Sequence, residues 1–130
     1  MDNKTILAAF NNQLSEFLED VVRLFPKDMD IRAAKNSLFM MKKMNPKLIL
    51  TAWYNYVSQP YGEEVLNKGL EPFIEKNYTE DIKYLEDSSK VLEVIDRIRK
   101  PIKEMNDTDK CTSLKYINNL NKLSNIYFTK

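Results

Sequence analysis

Histidine is missing from this chain and cysteine occurs once, at Cys111, so the side chains most used for nucleophilic and metal chemistry are nearly gone. Without histidine there is no Ser-His-Asp or Cys-His relay and no imidazole base. A structural zinc site of the usual Cys/His kinds is excluded for the same reason. Gly62 and Gly69 are the only glycines, too few for either Gly-rich phosphate-binding pattern. What remains is carboxylate chemistry, for which three acidic pairs stand out: Asp28 with Asp30, Glu63 with Glu64, and Glu80 with Asp81. A glycosidase-like pair would need a pocket around it. All three pairs fall where helices are expected to begin, and there carboxylates cap free N–H groups and favour the helix dipole. The expectation is a non-enzymatic protein with no cofactor and no metal.

Other side chains are suited to meeting a macromolecule. Arg97, Arg99, Lys100 and Lys103, with Lys90 on the same expected helix, are the densest positive feature and a candidate nucleic-acid or partner patch. Glu93, Asp96 and Glu104 lie within reach for three- and four-residue pairing, so a solvated helix face explains the same residues. Lys42, Lys43 and Lys47 form a weaker cluster. Trp53, Tyr54, Tyr56 and Tyr61 crowd one region, where aromatics among lysines can stack on bases. Trp53 and Tyr56 fall on an apolar helix face and read as core, which leaves Tyr54 and Tyr61 for an interface. Leu38, Phe39, Met40, Met41 and Met44 are too apolar around their helix for one-sided burial. Phe39, Met40, Met44, Tyr54 and Tyr61 are therefore the candidate dimer or partner contact.

These residues must be held by helices. Ile6, Phe10, Leu14, Phe17, Leu18, Val21, Leu24 and Phe25 recur at three- and four-residue steps, which predicts an amphipathic helix over 4–25. Asp2 or Asn3 caps it, and Pro26 stops it. Asp28 or Asp30 caps a second helix carrying Ile31, Ala34, Leu38 and Met41, which runs to Asn45. Asn45 and Pro46 form an N-cap and first-turn pair for a third helix, with Leu48, Ile49, Ala52, Trp53, Tyr56 and Val57 on its apolar face and an end near Ser58. Pro60, Gly62, Gly69 and Pro72 then divide 59–78 into two brief helices, the first with Glu63 and Glu64 in its opening turn and a stop at Gly69, the second anchored by Phe73 and Ile74. Thr79 caps a turn carrying Ile82 and Leu85. Ser88 or Ser89 starts a helix whose Val91, Ile95, Ile98, Ile102 and Met105 alternate four and three, and Pro101 should kink or divide it. Asn106 or Asp107 caps a last helix with Leu114, Ile117, Leu120, Leu123 and Tyr127 on one side.

No run alternates with period two and no Asn-Gly or Asp-Gly turn occurs, so strands are not expected. The fold class is all-α: a compact single-domain bundle over residues 1–130 with about five to seven helices, three of them long and amphipathic and the central ones short. The 130 residues suit one domain, and 43% hydrophobic with 30% charged residues suffices for a core and a solvated surface. Twenty basic against 19 acidic residues leave a net charge of +1, so no whole-molecule field draws the chain to nucleic acid or anionic lipid. A single cysteine allows no internal disulfide and points to a reducing compartment. The expected location is intracellular and not secreted, since no signal-peptide pattern or bilayer-spanning run is visible. Sixteen lysines against four arginines, with thirteen asparagines, are the usage of an AT-rich genome.

The segments FLEDVVRLFPKDMDIRAAKNSLFMMKKMNPKLILTAWYNYV (17–57) and YINNLNKLSNIYF (116–128) resemble a family of small helical proteins encoded by large nucleocytoplasmic DNA viruses of eukaryotes, marseillevirus-type giant viruses included. The pattern is one of helices and spacing, without a catalytic signature. The resemblance implies a viral protein made in host cytoplasm, with the virion as a candidate destination. The leading expectation is thus a virion-associated interaction protein that forms a homodimer or binds a viral or host protein, with no membrane partner. The alternative is a nucleic-acid-associated accessory protein acting through the basic face, in the nucleus. A carboxylate-dependent hydrolase ranks third.

Overall fold

The computed structural model describes residues 2–75 and 89–129. These form seven α-helices and one π-helical turn, with no strand among the described residues. The helices are α1 (Asn3–Leu24), α2 (Met29–Met44), α3 (Pro46–Trp53), the π-turn (Tyr54–Ser58), α4 (Gln59–Lys68), α5 (Glu71–Glu75), α6 (Ser89–Glu104) and α7 (Asp107–Phe128). The all-α expectation holds. The expected turn at Thr79, with Ile82, Leu85 and the Glu80/Asp81 pair, lies outside the described residues.

Side-chain caps set three of the helix starts. The Thr5 N–H donates to Asp2 Oδ1 at 2.8 Å, the Ile31 N–H to Asp28 Oδ1 at 3.2 Å, and the Asp109 N–H to Asn106 Oδ1 at 2.8 Å. Each satisfies a backbone donor that the helix cannot reach, which is typically worth about 1 kcal/mol. Pro46 opens α3 as expected, but the Asn45 side chain makes no capping bond there. Gly69 ends α4 at φ 89°, a backbone that a residue with a Cβ rarely adopts.

The third helix does not end near Ser58. The chain stays helical from Pro46 through Pro60 to Lys68, by way of the π-turn. An interior proline removes one hydrogen bond and clashes with the carbonyl four residues back. Here the turn before it is widened: the Gln59 N–H reaches back five residues to the Tyr54 carbonyl, so the backbone is already opened where Pro60 enters. Glu63 and Glu64 consequently sit inside a continuing helix, exposed, and not in an opening turn. Pro101 likewise fails to divide α6, which runs on for three residues to Glu104.

The core is one cluster reaching from Phe10 on α1 to Leu120 on α7. α1 lies along α7 in the most extensive helix pairing, and α2 packs on α1, α3 and α6. Trp53 sits fully buried at the centre, with Phe10 meeting it edge-on (centroids 6.2 Å apart) and Phe73 tilted against it (6.1 Å). The residues expected on the inner face of α2, Ile31, Ala34, Leu38 and Met41, are its buried residues. On α6, Val91, Ile95, Ile98, Ile102 and Met105 at its end are all buried, joined by Leu92 and Val94. α7 differs: of its expected face Ile117 and Leu120 are buried, Leu114, Leu123 and Tyr127 are half-buried, and Ser113, Asn121 and Ser124 go inside.

Candidate functional site

Four places bear on function: the α6 surface, the outer side of α2, a cleft between α1 and α2, and a buried polar cluster behind the π-turn. On α6, Lys90, Arg97, Lys100 and Lys103 are exposed. Arg99 is half-buried and employed in the fold, since its Nε donates to the Ile74 carbonyl at 2.7 Å, its Nη2 to the same oxygen, and its Nη1 to Asp96 Oδ1 at 2.6 Å. It ties α6 to α5. Arg97 and Arg99 are two residues apart and so diverge by about 160° around a helix. Exposed Glu93, Asp96 and Glu104 sit among the lysines. The structure therefore gathers Asp96, Arg99, Lys100 and Lys103 with Ile74 around one shallow groove of mixed sign, and leaves Lys90 and Arg97 outside it.

The apolar run on α2 splits in a way its spacing predicts. Leu38 and Met41 enter the core, whereas Met29 (71% exposed), Met40 (58%) and Met44 (82%) stay in solvent. At about 100° per residue these three methionines and exposed Ala33 fall within about 60° of one another on one outward sector, with exposed Asn36 and Ser37 between Ala33 and Met40. Met29 belongs to this sector although it stands outside the run of apolar residues at 38–44. It is the first residue of α2, ahead of the apolar run. Phe39 points away from the strip, toward α1, with Lys43 Nζ 4.9 Å and Lys42 Nζ 6.0 Å from its ring centre. Tyr54 lies tilted against Phe128 at the end of α7, centroids 4.5 Å apart, and Tyr61 packs against the core. The five candidate contact residues thus separate: Met40 and Met44 share a face, Phe39 turns aside, and Tyr54 and Tyr61 lie on other elements.

Between α1 and α2 lies a cleft of about 280 Å³. Asn11, Leu14 and Leu18 form one wall, Leu38 and Phe39 the other, and Ile49 of α3 closes one end. Asn11, Leu14, Ser15, Leu18 and Glu19 are spaced as successive residues of one helix face, so α1 turns a single strip toward this cleft. Asn11 is buried, and its Nδ2 donates to the Pro46 carbonyl at 3.2 Å. Its Oδ1 is buried without a partner.

Behind the π-turn, the Trp53 indole N–H donates to Asn121 Oδ1 at 2.8 Å. The Ser58 hydroxyl lies 2.8 Å from Asn125 Oδ1 and 3.2 Å from the Asn121 carbonyl, and the Ser124 hydroxyl donates to that same carbonyl at 2.9 Å. An indole N–H can only donate, so Asn121 must turn its oxygen to Trp53, and its Nδ2 is left buried without a partner on the side of Gly62. None of these groups is a nucleophile with a base beside it. The available signal for this cluster was Trp53 itself, because a buried indole needs an acceptor. Tyr116, stacked on Phe17 with centroids 5.2 Å apart, is held above its ordinary pKa by burial first and by Asp20 and Glu16 beside it.

Of the acidic pairs, Asp28 is a helix cap and Asp30 sits in the first turn of α2. Among the described residues no group of three or more Cys, Asp or Glu side chains converges as metal ligands would, and no helix is long and apolar enough to cross a membrane. Fold and surface together define an all-helical bundle with an outward methionine strip and one apolar cleft. Compared with known protein families, with curated proteins and with solved structures, the chain shows no match.

Proposed function

We propose that this chain is a non-enzymatic helical interaction protein whose outward α2 face is covered by a second copy of itself. The observation that carries this reading is the strip of Met29, Met40 and Met44, three large apolar side chains left in solvent on one sector of a helix whose other side is core. Methionine is flexible and polarizable, which suits it to surfaces that repack against a partner. Self-association would remove this strip from water and leave Arg32 and Lys43 at the margin.

The test is sedimentation velocity on the purified chain and on a Met40→Glu/Met44→Glu variant. Both positions are exposed, so the variant keeps its core. The wild type is expected to self-associate at micromolar concentration and the variant to run as a monomer. A wild-type monomer across that range sinks the homodimer. The further reading as a virion-associated protein of a large DNA virus rests on the resemblance of residues 17–57 and 116–128, and proteomics of purified particles tests it. An accessory role on nucleic acid has less support, because acidic side chains interrupt the α6 lysines and Arg99 is committed to Ile74. Retardation of DNA or RNA at low salt, lost steeply as salt rises, would revive it.

A further inference from the structure

Two surfaces of opposite sign stand on different elements of the bundle. Residues 31–62 carry Arg32, Lys35, Lys42, Lys43 and Lys47 and no acidic residue, whereas 63–75 carry Glu63, Glu64, Glu71 and Glu75 with Lys68 as the one base. Arg32 and Lys43 flank the methionine sector of α2 on one edge, Lys35 and Lys42 line the adjoining cleft, and Lys47 is exposed in the first turn of α3. Asp30 stands at the other edge of the sector. On α4 the buried residue is Val65, so at about 100° per residue Glu63 lies near the centre of the outward side, with Leu66 and Glu64 flanking it. Leu66 is 69% exposed, a large apolar side chain among carboxylates. Glu71 and Glu75, one turn apart on α5, are exposed as well. Among the described residues, none of these five bases and four acids forms an ion pair. α2 packs on α1, α3 and α6, whereas α4 packs on the π-turn, α5 and α7, so the two surfaces are open at once.

We propose that the acidic α4–α5 surface is what covers α2: the basic, methionine-bearing face of one copy docks on the Leu66-bearing face of the next. This inference rests on the reading that a second copy covers α2, and it names the surface which that copy presents. α2 against α2 would set the same bases against each other, with Asp30 as the single acid inside the helix to offset them. Juxtaposed like charges are how an interface rejects a wrong partner. The α4–α5 surface offers four carboxylates and an apolar anchor instead. Leu66 enters between Met40 and Met44, whose flexible side chains repack around it, while Glu63 and Glu64 reach Arg32 and Lys43 at the rim. Burial of the apolar side chains supplies the adhesion, and the rim charges select and orient the pairing. Because the two surfaces differ, the contact is either returned within a symmetric pair or passed on to a third copy.

The experiment is sedimentation velocity at low salt on full chains with charge reversals at exposed positions, Arg32→Glu/Lys43→Glu on α2 and Glu63→Lys/Glu64→Lys on α4, each checked for fold by its helical circular dichroism. Alone, each variant sets like charges against each other at the rim and should associate about tenfold more weakly than wild type, or worse. An equimolar mixture of the two should regain wild-type association to within a few-fold, because each variant then finds its opposite on the other. Leu66→Ser, which leaves every charge in place, is a further arm and should weaken association several-fold. Added salt should weaken wild-type association, since screening removes the rim attraction. A Glu63→Lys/Glu64→Lys variant that associates like wild type overturns the inference and leaves the broader reading standing, with α2 on α2. Two weakened variants whose mixture stays monomeric overturn it as well, as does unchanged association of Leu66→Ser. A wild-type monomer removes the broader reading together with this one, and flotation of that monomer with phosphatidylserine vesicles would assign α2 to anionic lipid instead.

Discussion

α6 and α7 pack into the same bundle by different means. From Lys90 onward every buried side chain of α6 is apolar, and among the described residues Arg99 at the margin supplies its polar bonds to another element. α7 buries Ser113, Asn121 and Ser124 beside Ile117 and Leu120, and meets the end of α3 and the π-turn through hydrogen bonds that involve Trp53 and Ser58. Burial of apolar surface is non-directional, so α6 is held strongly but could tolerate small shifts along its length. Hydrogen bonds have fixed lengths and angles, so Asn121 sets α7 in one register against Trp53. One helix supplies mass to the core and the other specifies its alignment.

Four substitutions would break or sharpen that contrast. Ile98→Ala on α6 should cost most, about 2 to 5 kcal/mol in denaturant unfolding, because it opens a cavity beneath a fully buried side chain. A loss below about 1 kcal/mol would mean that α6 collapses onto the gap. Asn121→Ala on α7 should cost about 1 to 3 kcal/mol, chiefly by leaving the Trp53 indole N–H unpaired in the core. Its signature is a changed tryptophan fluorescence, which Ile98→Ala should not reproduce to the same degree. Gly62→Ala should stabilise by roughly 0.5 to 1 kcal/mol, since a Cβ there would meet Ser58 Oγ at 3.8 Å and Asn121 Nδ2 at 3.9 Å, ordinary contacts, within a helix that glycine weakens. A destabilised protein would show that the space beside the Asn121 amide is needed.

The smallest effect is a pH dependence on the α1–α7 side. Tyr116 titrates above its ordinary value near 10 in the folded chain, so its contribution is complete below pH 10 and declines as pH rises through the folded pKa. Ionisation then has to occur in a partly buried site beside Asp20 and Glu16. Tyr116→Phe should flatten the alkaline limb of the stability curve, and an unchanged limb would remove Tyr116 as its source.

The same contrast separates what could be read in the residues from what could not. The inner faces of α2 and α6 were legible because only apolar side chains lie at their helical spacing, and burial is the sole favourable outcome for them. The face of α7 was legible in part. Serine and asparagine at positions 113, 121 and 124 read as solvent-facing until a partner is in place, and the partners of Asn121 stand more than sixty residues away at Trp53 and Ser58. The continuation of helix through Pro60 was hidden for a related reason: local chemistry predicts a stop, and a π-turn packed under α7 and α4 outweighs it. Among the candidate contacts, Met40 and Met44 were legible as surplus apolar surface. The departure of Phe39 toward α1 was not, since it depends on which neighbour α2 leans against.

By itself the chain of residues determined helix as the regular structure of the described residues, the short list of capping candidates from which Asp2, Asp28 and Asn106 are drawn, and the absence of histidine-based chemistry, because each of these follows from side-chain type and near spacing. Tertiary structure alone decided that Arg99 would leave the basic set, that Asn121 would face a buried indole, and that Asn11 would keep an unpaired oxygen beside an apolar cleft. Those outcomes turn on distances between residues far apart in the chain, and a hydrogen bond exists only once both partners have been brought within about 3 Å.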